Sequence, residues 1–166
     1  MPVLDGDSDD NRVTDDTTER PAGRPRDRGV RAAASAFALT SAYASVVSVR
    51  ERLAGRPLGI GMPLSVPVGL LVAWGSAIAA PWPMPVGALA AAARTDDPET
   101  SGRAALVCAG IGIAGVIGLL VEPNTYDVRA QSRANRIAII AGFATTGLLA
   151  ATGLWGWWCE VRARRG

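Results

Sequence analysis

Four stretches of the chain contain no charged residue: 32–49, 64–80, 104–121 and 137–158. Each has 17 to 22 residues, and at 1.5 Å per residue a helix of that length spans roughly 26 to 33 Å, close to the hydrocarbon thickness of a bilayer. A soluble four-helix bundle would carry charges on the outer face of every helix, about once per turn. The pattern therefore predicts an all-α, polytopic integral membrane protein with four transmembrane helices at these positions.

Residues 1–30 read in the opposite way. They are rich in Asp, Thr, Arg, Pro and Gly and show no apolar periodicity, which predicts a disordered N-terminal tail ahead of a membrane domain over 31–166. Acids fill the tail from Asp5 to Glu19, and Arg20, Arg24, Arg26, Arg28 and Arg31 lead into the first span, where anionic headgroups would attract them. That span is the least apolar, diluted by Ser35, Thr40, Ser41, Ser45 and Ser48. Ala42-Tyr43-Ala44 resembles a signal-cleavage site, but the leading segment is long and begins acidic, so the span is expected to be retained. The prolines of PWPMP, 81–85, are expected to end the second helix, with 86–93 a surface helix, a re-entrant piece or a kinked continuation.

Membrane-proximal arginines number ten on the side shared by the tail, the 94–103 loop and the C-terminus, against six in the other two loops. The positive-inside rule then places both termini in the cytoplasm, with the chain in the cell membrane. All 17 basic residues are Arg, a composition expected of a GC-rich bacterial genome rather than of phosphate binding. The absence of His and Lys removes imidazole bases, His-bound metals and haem, Schiff bases and the P-loop lysine. No cofactor and no nucleic-acid partner is expected. Cys108 and Cys159 are separated by 50 residues and are read as unpaired thiols.

The run GIGIAG at 110–115 has the letter pattern of a dinucleotide fingerprint. It lies mid-way along an apolar helix, without the strand and turn which that mechanism needs. Helix packing is the better account: Gly110, Ala114 and Gly118 line one face with Gly112 and Gly115 beside them, as do Gly142, Thr146 and Ala150 in the last helix and Ser41, Ser45 and Ser48 in the first. The partner backbone could belong to this chain, to a second copy or to another membrane protein. Trp155, Trp157 and Trp158, followed by Arg162, Arg164 and Arg165, read as an interfacial anchor.

Polar chemistry concentrates in LLVEPNTYDVRAQSRANR, 119–136. Glu122 and Pro123 mark the end of the third helix. Asn124 is expected to cap a last helix beginning near Thr125, with Asp127 close to its positive end. Arg129, Arg133 and Arg136 then form one stripe at i, i+4 and i+7. Glu122, Asn124, Asp127, Arg129, Arg133 and Arg136 are the candidate surface site, for an anion, a headgroup or a partner, with Glu122 able to titrate if desolvated. No nucleophile–base pair is recognisable, so the expected role is a non-catalytic interaction or accessory subunit. The alternatives are a small oligomeric transporter or channel and, behind it, a lipid-acting enzyme.

Overall fold

The computed structural model describes residues 25–165, except 57, 59, 61–64, 73–74, 128 and 130. Among these residues the secondary structure is helical throughout: α1 (Pro25–Glu51), α2 (Val66–Val72), α3 (Pro83–Ala92), α4 (Ser101–Val121), a 3-10 turn (Pro123–Thr125) and α5 (Arg133–Ala163). The tail expected over 1–30 lies outside the described residues up to 24, and 25–30 already belong to α1. Pro25 suits the first position of that helix, where its missing N–H has no intrahelical partner to lose.

Helices α1, α4 and α5 are long and apolar enough to cross a membrane, and they contain the first, third and fourth expected spans. The start of α1 and the end of α5 lie together, because an Arg26 guanidinium nitrogen is 2.8 Å from a Glu160 carboxylate oxygen. The loop after α3 joins this proximal end through an Arg31–Asp96 ion pair and an Arg31 Nε–H donated to the Ala92 carbonyl at 3.3 Å. At the distal end, Ser132 Oγ donates to Glu51 at 2.5 Å and the Arg56 N–H donates to Glu122 at 3.0 Å.

The second crossing departs from expectation. No continuous helix covers 64–80; the return path from the distal to the proximal end runs along 75–92. Its first part, 75–80, is irregular and lies beside the distal half of α1, where the Ser48 and Ser76 hydroxyls are 2.6 Å apart and the Ala77 N–H reaches the Leu53 carbonyl at 3.3 Å. Its second part is α3. Pro83 and Pro85 begin this helix instead of ending one, because a proline in the first turn removes a donor that would be unsatisfied anyway. Residues 86–93 are thus mostly a packed half-span, with Ala88 and Ala92 fully buried against α1 and α4.

Two glycines permit the reversal between α2 and this path. Gly75 has φ +70°, and its N–H donates to the Gly69 carbonyl at 2.9 Å. A Cβ on Gly75 would collide with the Ala79 carbonyl oxygen, and one on Gly69 would lie 2.6 Å from the Gly75 oxygen. Helix α1 closes in a related way. Arg52 takes φ 54°, with Leu53 N–H bonded to Ser48 O and Arg52 N–H to Val49 O, the hydrogen-bond pair of a Schellman motif in which glycine is the usual occupant.

Helices α4 and α5 make the most intimate contact of the bundle. A Cβ on Gly112 would lie 2.5 Å from the Ala150 nitrogen, and one on Gly153 would lie 2.6 Å from the Ala105 oxygen. The expected strip Gly142, Thr146 and Ala150 is therefore used, within this chain. Its counterpart is Gly112 and Gly115 with Ala105 and Ala109, not the Gly110–Ala114–Gly118 face. A Cβ on Gly110 or Gly118 would meet nothing within 4 Å. Two apolar clusters result, one joining Val30–Phe37 of α1 to α3, Cys108 and Leu149, the other joining Ala44 and Val47 to Leu70, Ala77–Ala79 and Ile139.

Candidate functional site

Between these clusters, opposite the irregular part of the second crossing, lies a cavity of about 380 Å³. Helix α1 contributes Phe37, Thr40, Ser41 and Ala44, the broken crossing 76–81 and Met84, α4 the stretch around Ala114–Leu119, and α5 Gly142 and Thr146. It exists because 75–80 is not helical: α3 packs against α4 only in the proximal half, where Gly87 meets Ile111. Polar atoms on the wall are already committed in part. Ser76 Oγ accepts the Ala79 N–H at 3.0 Å, and Thr146 Oγ1 donates to the Gly142 carbonyl at 2.7 Å.

Glu122 closes the distal end of this cavity and is the one ionisable lining residue among those described. It follows the last residue of α4, with extended backbone (ψ 116°) imposed by the proline after it. Its side chain is 6% exposed. Burial pushes the carboxyl above its ordinary range, opposed by hydrogen bonds from the backbone of Arg56 and Asn124 and by the Arg56 charge. On its other side Glu122 borders a polar depression that also holds Arg52, Arg56, Asn124 and Asp127.

The expected site is thus divided. Glu122, Asn124 and Asp127 come together, with Arg52 and Arg56 as additions that sequence reasoning missed. Nothing local could have pointed to Arg56, which contacts Glu122 through its backbone from 66 residues away. The arginine stripe does not form. Helix α5 starts at Arg133, capped by Ser132, whose Oγ accepts the Asn135 N–H at 3.0 Å, so Arg129 lies before the helix and only Arg133 and Arg136 are on it, both exposed. Asn124 is no cap; its carbonyl accepts from the Gln131 side chain at 2.5 Å.

The proximal end has its own polar cluster, also missed. Glu160 accepts from Arg26 at 2.8 Å and from Arg164 at 3.3 Å; burial pushes its carboxyl up, but the guanidiniums outweigh it and hold the group below the ordinary range. Arg26 and Arg31, expected to face headgroups, engage acids of their own chain. Trp155 and Trp158 are exposed, and the Arg162 guanidinium lies 4.9 Å from the Trp158 ring centre, consistent with rings and cations at a membrane surface. Cys108 is buried and Cys159 partly so, both as free thiols, and no cluster of metal-ligating side chains occurs among the described residues.

Fold and site together define a multi-pass, all-helical membrane protein whose second crossing is broken beside a carboxylate-ended cavity. No family model, curated protein or solved structure matches the chain.

Proposed function

We propose that this chain is a non-catalytic membrane protein that holds a small, largely apolar ligand within its helical bundle, as a carrier or binding subunit. The observation that carries this reading is the irregular segment, of which 76–80 line a cavity between helices long and apolar enough to cross a membrane. Unwound backbone in a bilayer is tolerated only where protein buries it or where it lines a cavity, and broken helices at substrate sites are a recurrent solution in transporters. The cavity volume, about 380 Å³, falls in the range of small-molecule sites. Its hydroxyls have no base among the lining side chains except Glu122 at the far end, which argues against lipid hydrolysis or transfer. The arginine excess supports an orientation with both termini in the cytoplasm.

A photoactivatable apolar probe in vesicles containing the purified full-length chain tests this. Labelling is expected at residues 37–44 and 76–84 and should be suppressed by excess unreactive analogue. Labelling confined to lipid-facing residues and not suppressible would defeat the proposal. A second reading, an accessory subunit docking another membrane helix, is favoured by the open space over Gly110 and Gly118. Co-purification of a stoichiometric partner that Gly110→Leu releases would support it.

A further inference from the structure

Resting on that cavity reading, we infer that the ligand is a lipophilic monovalent cation, held with its charge against Glu122 and its apolar body between α1, the broken crossing and α4. Three observations select this class. First, among the described residues the cavity wall is apolar side chains, hydroxyls and backbone with one carboxylate and no cationic side chain, so an anion would meet net repulsion and a neutral molecule would leave the charge unused. Secondly, the usual helical anion site is disabled: Pro83 and Pro85 take two N–H groups from the first turn of α3, and the Met84 N–H is bonded to Pro81 O. Thirdly, Glu122 is 94% buried by its 6% exposure, and a carboxylate so desolvated gains more from a counter-charge than one in water.

The charged groups around Glu122 do not satisfy it in the way a buried cation would. Arg56 and Asn124 hydrogen-bond it through their backbone and the Arg56 charge acts on it, but the side chains of Arg52, Arg56 and Asp127 border the depression on the opposite side as exposed groups, where water weakens their pull. Neither α5 nor 76–81 brings an ionisable side chain to the cavity. Access follows from exposure on α4: Ile117 is 54% exposed and Ala114 and Gly118 are exposed beside it, so the cavity opens toward the lipid, where a lipophilic cation concentrates. Protonation of Glu122 removes the counter-charge and releases the ligand.

The test uses the full-length protein in nonionic micelles and an isosteric pair, radiolabelled benzyltrimethylammonium and its neutral carbon analogue neopentylbenzene. Saturable cation binding is expected, weakened about tenfold or more by Glu122→Gln and retained within about threefold by Glu122→Asp, which keeps the charge. Binding should also weaken on acidification, with a midpoint above 4.5, the ordinary value for the group. Gly118→Leu gives a second variant: it keeps the Glu122 carboxylate but adds a side chain at a residue that lines the cavity and has open space over it, and it should abolish binding. If Glu122→Gln binds the cation as the wild type does, or if only neopentylbenzene protects the cavity from the photoprobe, charge selection is wrong while the cavity reading stands. If neither compound binds or protects, both fall.

Discussion

Two glutamates at opposite ends of the bundle respond to pH in opposite senses. The folded-state pKa of Glu122 is raised, so the folded chain keeps this proton to higher pH than the unfolded chain does; the contribution is full below 4.5 and shrinks as pH rises through the folded value. Glu160 is lowered, so its contribution is present above 4.5 and is lost as pH falls through the folded value. Thermal unfolding of Glu122→Gln across pH should show a higher melting temperature than wild type at neutral pH and no gap at acid pH. Glu160→Gln should show the reverse, a loss on the order of 1 kcal/mol at neutral pH that closes on acidification. Arg52 offers a third handle at this scale. Its φ of 54° suits glycine, so Arg52→Gly should stabilise by up to ~1 kcal/mol in chemical denaturation; a loss of stability would mean that the side chain outweighs the strain.

At the scale of elements, α4 and α5 are held by backbone approach, and a matched pair of substitutions measures it. Gly112→Ala forces a Cβ into the Ala150 backbone, whereas Gly110→Ala meets open space. The first should cost about 2 kcal/mol or more and the second less than ~0.5 kcal/mol; equal effects in a melting assay would dissolve the α4–α5 interface described above. The contrast also marks what the sequence could tell. Four-residue spacing announces that small residues matter, but the phase of the face turned inward depends on where the neighbouring helix lies. The long spans were legible because 18 or more apolar residues without a charge have few other fates in water. The second crossing was not, since hydropathy reports composition and not path: 64–80 is apolar enough to span, yet Gly69 and Gly75 reverse the chain there. A proline can stop a helix that precedes it or start one that follows, and Pro83 and Pro85 start α3. Asn124 and Ser132 are both acceptable caps, and the local sequence does not choose between them. Glu122 was legible as a boundary acid, but its place at the end of a cavity depends on a crossing that the pattern drew elsewhere.

For the whole molecule, the path through 75–92 carries a consequence for sidedness that does not depend on orientation. Arg56 and Asp127 belong to the distal end and Glu99 and Cys159 to the proximal end, given the Arg26–Glu160 and Arg31–Asp96 pairs and the shared depression of Arg56 with Asp127. Single cysteines introduced as Arg56→Cys, Glu99→Cys or Asp127→Cys on a Cys159→Ser background should therefore label in two classes with a membrane-impermeant maleimide. Arg56→Cys and Asp127→Cys should react from one side, Glu99→Cys and native Cys159 from the other. Cys108, fully buried between α3 and α4 with its Sγ 3.6 Å from the Ala88 carbonyl, should react only after denaturation. If Arg56→Cys and Glu99→Cys labelled from the same side, the segment between them would enter and leave without crossing, α3 would be a re-entrant piece, and the cavity would lose the wall that makes it a site. With the arginine excess on the proximal side, that class is expected to react only in broken cells. The reverse result would turn Glu122 toward the cytoplasm, so that acidification from outside could not reach it directly, and the pH dependence of ligand release would have to be read against internal pH.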